Sequence, residues 1–325
     1  MIFANKKFYG VQSSSFINDY KIVYGFLGGA KKNNKISPND TTSIDKSKEK
    51  AILKAYSEHS ERFLLNAQED KIIKSINIIT NEIEELNALD FSYEPSSPYL
   101  KSDTTGTAAG LTSYEIIQKA VLELIEKNEM LLLWYGKKGY FLKHNEYIKN
   151  LIRNLNLTSP NIDLFVSKNL CNFYTVVTVA YDNTKITSSG VSVSKNLEDA
   201  INLSLREAKI IEWANPFLPI SDNIHLEAIN HTKYLKESLQ NYDFLGEMQK
   251  PQEKLIINPF IKTLNIGILN THLGKRPITV KCISKELFNC LPSKDRLALD
   301  YNRKILKEFN INEETIINTP NCILR

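Results

Sequence analysis

The stretch Thr104-Thr-Gly-Thr-Ala-Ala-Gly-Leu-Thr-Ser-Tyr-Glu-Ile-Ile-Gln-Lys-Ala-Val-Leu-Glu-Leu-Ile-Glu-Lys127 decides how the rest of the chain is read. A loop of small residues passes into a helix. Ser113 is placed to cap that helix, because its hydroxyl can accept an amide proton left unpaired in the first turn. The helix is apolar at Ile116, Ile117, Ala120, Val121, Leu122, Leu124 and Ile125. This is nearly all round, so burial on most sides is expected. Glu115, Glu123 and Glu126 nevertheless lie within it. At about 100° per residue, Glu123 and Glu126 stand about 60° apart on one face. Two carboxylates so placed in apolar surroundings repel and are poorly solvated. A basic side chain or a metal ion is therefore expected beside them, in preference to a plain solvated edge.

Composition sets the frame for this element. The chain has 325 residues, 42% of them hydrophobic and 24% charged, which is globular usage and enough for a sizeable core. The formal net charge is only +4. Basic runs at 31–35 and 46–50 lack interleaved aromatics, which argues against a nucleic-acid surface. The cysteines, Cys171, Cys282, Cys290 and Cys322, form no Cys-x-x-Cys pair, so reduced thiols in a cytoplasm are expected. The amino terminus is too short and polar for a signal peptide, and no apolar run is long enough for a membrane span. The histidines at 59, 144, 225, 231 and 272 are scattered and suggest no metal set.

Outward from the central helix, the pattern predicts an α+β protein. A short strand at 21–26 is followed by loop, and Ser47 opens a helix to about residue 68. Residues 70–88 show helical spacing at Ile72, Ile73, Ile76, Ile79, Ile83 and Leu86. Pro95 and Pro98 mark a loop at 92–106. After the central helix come a tight hairpin at 135–142 and an amphipathic helix at 146–155. Strands follow at 163–166, 173–180 and 185–192, the second strongly β-branched. Asn196 opens a third major helix to about residue 213. Residues 214–253 read as an insertion or lid with a helix near 223–240. The chain returns to strands at 255–257, 264–269 and 278–283, and one last helix is expected at 294–309.

Three of these helices share one plan. The first carries Ala51, Ala55, Glu58 and Glu61; the second Ile116, Ala120, Glu123 and Glu126; the third Ala200, Ser204, Glu207 and Ile210. In each, a small residue stands three before a key glutamate. Small residues on one face let elements approach closely, and the three helices are expected to direct Glu58, Glu61, Glu123, Glu126 and Glu207 into one cavity.

At this point the chain resembles the YcaO family of ATP-using enzymes that activate backbone amides of ribosomal peptides. The first motif of that family, Glu-x-x-Glu-Arg, stands here as Glu58-His-Ser-Glu61-Arg62. The second, a Gly/Ala loop, a Glu and then Glu-x-x-Glu-Arg, stands as 105–110, Glu115 and Glu123-Leu-Ile-Glu126-Lys127. The third, a Ser-Gly strand followed by Glu-x-x-Gln, stands as Ser189-Gly190 and Glu207-Ala-Lys-Ile210. The resemblance covers about 40–215.

The resemblance implies one YcaO-like domain over 1–325, with three glutamate-bearing helices packed on a mixed or antiparallel sheet. It implies ATP and Mg²⁺ as cofactors: Glu58, Glu61, Glu123 and Glu126 as metal ligands, and these with Arg62, Glu115, Lys127 and Glu207 at the nucleotide. No catalytic residue is assigned. The implied activity is that of a microcin-type cyclodehydratase, which phosphorylates a backbone amide oxygen and converts Cys, Ser or Thr of a precursor peptide to azolines. Thioamide or amidine formation, or a catalytically degenerate scaffold, is the alternative. Implied partners are the precursor peptide, a separate leader-binding (E1-like) protein and a flavin dehydrogenase in the same complex, with no nucleic acid and no membrane. The chain departs from the family pattern at Lys127, Ile210 and Leu111, at Ser43-Ile-Asp, where Gly-Lys-Gly is common, and in its non-prolyl carboxyl terminus.

Overall fold

The computed structural model describes residues 9–12, 19–26, 31–32, 35–36, 40–67, 71–93, 103–214, 225–243, 253–269 and 278–323. These fall into two compact units, one drawn from 9–124 and 261–290, the other from 125–260 and 291–323. No helix among the described residues is long and apolar enough to cross a membrane.

The first unit begins with strands β1 (Tyr9–Gln12), β2 (Lys21–Phe26), β3 (Lys31–Lys32), β4 (Lys35–Ile36) and β5 (Asp40–Asp45). β1, β2 and β5 form an antiparallel sheet with β5 on one edge, so the expected loop after residue 26 in fact contains a further long strand. Helix α1 (Lys48–Ala67) lies on this sheet, with Ala51 and Ala55 packed against Val23. Their small side chains permit the close approach that their spacing predicts.

Residues 71–87 are not helical. They form a hairpin of β6 (Ile72–Asn77) and β7 (Glu82–Asn87). Burial in β6 alternates with the period of a strand, not a helix: Ile73, Ser75 and Asn77 are buried while Ile72 and Ile76 face solvent. Asn81 supplies the turn with a positive φ of 61°, and β-branched side chains favour the pleated surface. Ile73 joins Leu65, Ala88, Phe91 and Leu269 in a local core.

The small-residue stretch expected as loop includes β8 (Thr107–Gly110). It closes one edge of a five-stranded antiparallel sheet, ordered β7-β6-β13-β14-β8, with β13 at Asn265–Leu269 and β14 at Ile278–Ile283. Helix α2 (Ser113–Gly136) then starts at Ser113 itself. Thr112, not Ser113, takes the cap position: its carbonyl accepts the Ile116 amide, and its hydroxyl bonds the Glu115 carboxylate.

The second unit takes α2 from Ile125 onward. Its sheet is antiparallel, ordered β12-β11-β10-β9, from β9 (Tyr140–Leu142), β10 (Asn161–Ser167), β11 (Tyr174–Tyr181) and β12 (Ile186–Ser194). Every residue of β11 is buried, which explains its unbroken Val, Thr and Tyr run. The hairpin expected at 135–142 is absent, because α2 continues to Gly136 and β9 pairs with the distant β10. Helix α3 (Glu146–Leu155) is capped by the Asn145 side chain and ended by Asn156 at φ 49°.

Helix α4 (Leu197–Ala214) packs on β12 and β11. Helix α5 (His225–Ser238) is the one expected near 223–240; much of the proposed lid, 215–224 and 244–252, lies outside the described residues. The strand expected at 255–257 is a single bridge from Ile257 to Cys171. The single helix expected at 294–309 is two short ones, α6 (Lys294–Leu297) and α7 (Lys304–Glu308), and α8 (Glu313–Asn318) follows. A tight turn breaks it, with the Asp300 amide on Leu297 and the Arg303 side chain 2.9 Å from the Asp300 carboxylate.

Candidate functional site

Each sheet edge presents main-chain amides with no strand partner, and an unpaired buried amide is costly. The motif glutamates take these positions. Glu58 Oε2 accepts the Thr42 amide of edge strand β5 at 3.2 Å. Glu61 Oε1 accepts the Ala109 amide of edge strand β8 at 2.9 Å. In the second unit, Glu207 Oε2 accepts the Val191 amide of edge strand β12 at 2.8 Å, and Glu126 bonds the Val193 amide two residues on. Alternate residues of a strand direct their amides the same way, so one strand edge orients both acids.

Of the five acids expected in one cavity, Glu58, Glu61 and Glu123 belong to the first unit and Glu126 and Glu207 to the second. The first unit holds Glu58, Glu61 and Glu123 with Arg62 and Lys119. Arg62 lies 2.6 Å from Glu58 Oε1 and also donates to the Asp40 carbonyl at 2.6 Å. Lys119 lies 3.1 Å from Glu61 Oε1 and also feels the charges of Glu123 and Glu58. Loss of solvent pushes the Glu58 carboxyl up to about 7, with Arg62 opposing the rise and Glu61 adding to it. Its side chain keeps 30% exposure, enough for a ligand to reach it.

The second unit holds Glu126, Lys127 and Glu207. The Lys127 ammonium lies 2.6 Å from Glu126 Oε1, and both side chains are nearly buried. Burial raises the pKa of both glutamates; Lys127 opposes this, and the charge of Glu207 adds to the rise at Glu126. The Ser-Gly motif explains how Glu207 reaches its strand. A Cβ on Gly190 would lie 2.1 Å from the Ser204 carbonyl oxygen and 2.6 Å from the Ala208 nitrogen. Only glycine lets α4 come this close, and Ser204 uses the approach to donate to the Gly190 carbonyl at 3.0 Å.

Glu115 is not gathered into either group; it is exposed at the first turn of α2 and bonds Thr112. Sequence reasoning missed Lys119, although it stands four residues before Glu123 on one helical face. It also missed the amides of Thr42, Ala109, Val191 and Val193, for which no local signal exists. All four cysteines are free.

Among the described residues, no three or more His, Cys, Asp or Glu side chains gather as a preformed metal site. The donor chemistry still fits Mg²⁺, which takes one or two carboxylates together with phosphate oxygens and water, not an all-protein cage. Oriented carboxylate oxygens, buried and only partly neutralised by Arg62, Lys119 and Lys127, are such donors.

Residues 84–211 match the family model described as YcaO cyclodehydratase, ATP- and Mg²⁺-binding. No curated protein matches the chain by sequence. Among solved structures, YcaO from Methanopyrus kandleri, bound with AMPPCP and Mg²⁺, superposes with a TM-score of 0.70 at 13% identity, over 90% of this chain and 89% of that one. The E. coli microcin synthetase McbBCD complex gives 0.63 at 13% identity, over 91% of each chain. A heterocyclase in complex with substrate and cofactor gives 0.62 at 13% identity, over 95% of this chain and 53% of that one. Residues 84–211 thus carry the sequence pattern of the YcaO family, and the fold over nine-tenths of the chain is that of the YcaO structure.

Proposed function

We propose that the protein is an ATP-dependent cyclodehydratase subunit that converts Cys, Ser or Thr residues of a ribosomal precursor peptide to azolines. One observation carries this reading: glutamates at the family's motif positions are held on edge-strand amides, around a segment that matches an ATP- and Mg²⁺-binding cyclodehydratase family. The structural relatives support it, since one is described with AMPPCP and Mg²⁺ and another, a microcin synthetase, with pro-MccB17 bound.

Amide oxygen is a poor leaving group, and phosphorylation makes it a good one. The substrate's thiol or hydroxyl attacks the preceding amide carbon. The resulting oxyanion takes the γ-phosphoryl group with release of ADP, and elimination of phosphate leaves the azoline. Such transfer needs mainly positioning and charge neutralisation. Glu58, Glu61, Glu123 and Glu126 are the proposed Mg²⁺ ligands. Bound Mg²⁺ would supply neutralising charge to phosphate oxygens. Arg62 and Lys127 screen phosphate charge, Arg62 with a planar fork and Lys127 as a compact ammonium. Glu207, fixed on Val191, and Glu115 complete the proposed nucleotide set. The strand-edge amides prepay the orientation of four of these acids.

The proposed partners are the precursor peptide, a separate E1-like leader-binding protein and a flavin dehydrogenase, in a cytoplasmic complex. The test is thermal unfolding with Mg²⁺ and ATP, followed by phosphate release with peptide and partner present. At a ligand concentration of 100 times Kd, stabilisation of roughly 2.7 kcal/mol is expected. Phosphate release should accompany loss of one water per ring. A chain that ATP with Mg²⁺ does not stabilise would instead be a non-catalytic scaffold.

A further inference from the structure

Lys281 lies in β14 with no solvent exposure. A buried ammonium is costly unless it is compensated. Its Nζ donates to the Asp103 carbonyl, and the groups that face it electrostatically are Asp103, Glu123, Cys290 and Cys282. Burial lowers its pKa to about 8, which leaves it largely cationic at neutral pH.

Two features of the geometry give this charge a use. The first is the turn at 103–107. Strand register sets Lys281 opposite Thr107, and the Cys282 amide donates to the Gly106 carbonyl at 2.7 Å. The Asp103 side chain accepts the Thr105 amide at 2.8 Å. Lys281 thus holds the start of a turn whose far end is already tied to β14. Gly106, at φ 76°, presses the turn inward: a Cβ there would lie 2.5 Å from the Cys282 carbonyl oxygen and 3.5 Å from the Cβ of Leu124, the neighbour of Glu123. The second feature is charge. Among the described residues, Lys119 from its own helix and Lys281 from the sheet both act on Glu123, and Lys281 is wholly buried.

We propose that Lys281 is a positioning residue of the first acid group, fixing the 103–107 turn against α2 and supplying the buried counter-charge that holds Glu123 for a triphosphate. This rests on reading that group as part of a nucleotide and Mg²⁺ site. A fixed buried cation acts in opposite directions on two probes: it opposes a bare divalent cation and favours a polyphosphate.

The experiment is calorimetry on the full chain with Mg²⁺ alone and with AMPPCP plus Mg²⁺, for wild type, Lys281→Met, Lys281→Gln and Lys281→Arg, with urea unfolding of each. Lys281→Gln keeps a donor for the Asp103 carbonyl without the charge, and so remains informative if Lys281→Met folds poorly. Removing the charge should weaken AMPPCP binding roughly tenfold while leaving Mg²⁺ alone equal or tighter, and Lys281→Arg should restore nucleotide affinity. A lysine that only stabilises the fold would shift the urea midpoint and leave both affinities of the folded protein unchanged; that result overturns the proposal alone. Absence of AMPPCP binding by wild type overturns the nucleotide reading and the proposal with it.

Discussion

The Glu61 carboxylate accepts the main-chain amide of Ala109 at 2.9 Å, across 48 residues of sequence. The bond ties the first motif to the strand that opens the second. It also orients the carboxylate before any ligand arrives, so binding does not have to immobilise it. Preorganisation of this kind is the means by which a protein stabilises charge without reorganising.

Charge and cap can be separated at this residue. Glu61→Gln keeps an oxygen for the Ala109 amide and removes the charge. Lys119 is 57% exposed, so losing its ion pair should cost less than about 1 kcal/mol in urea unfolding. Affinity for AMPPCP with Mg²⁺ should fall at least tenfold by calorimetry, roughly 1.4 kcal/mol or more. Unchanged affinity would remove Glu61 from the proposed ligand set.

Glu207 gives the complementary case. Glu207→Ala leaves the Val191 amide of edge strand β12 without its 2.8 Å acceptor. A buried donor left unpaired should cost about 1–3 kcal/mol. Glu207→Gln, which can still accept, should cost less. Equal urea midpoints for the Ala and Gln variants would show that the edge bond contributes nothing.

Gly190→Ala should be among the most disruptive single changes in the second unit. The added methyl would sit 2.1 Å from the Ser204 carbonyl oxygen, a main-chain atom that cannot swing away. Overpacking of this kind costs about 1–3 kcal/mol, and here α4 must shift with loss of the Glu207 to Val191 bond. Denaturant unfolding and amide exchange at Val191 report the two effects separately.

The Glu58 carboxyl titrates near 7 in the folded chain, against an ordinary 4.5. Between those values the native state holds a proton that the unfolded chain has released. Stability without ligand therefore falls as pH rises from about 5 to about 7. Burial of Glu126 and Glu207 acts in the same direction. Because 30% of the Glu58 side chain is exposed, water screens part of its share. Glu58→Gln should flatten the fall in urea midpoint over that window and raise the midpoint at pH 8. A midpoint that climbs with pH across the window would contradict the assignment.

The three glutamate helices, their small-residue faces and the β-branched strand pair around 173–192 were legible in the sequence, because each is a local periodic pattern. Ala51, Ala55, Ala120, Ala200 and Ser204 are all fully buried, as their spacing requires. Residues 70–88 were misread because isoleucines at 72, 73, 76, 79 and 83 are spaced as a helical stripe, yet of these only Ile73 is buried in the hairpin. Pairing with β7 across the Asn81 turn and with β13 across some 190 residues chooses the strand. The acids could be listed from sequence, but the amides that hold them could not. Which strands lie at an edge, and which amides that leaves open, depends on sheet order, and sheet order is a property of contacts distant along the chain. Lys281 is the extreme case. In sequence it is one lysine in a short strand, and only the closing of β8 against β14 makes it a buried charge beside Glu123.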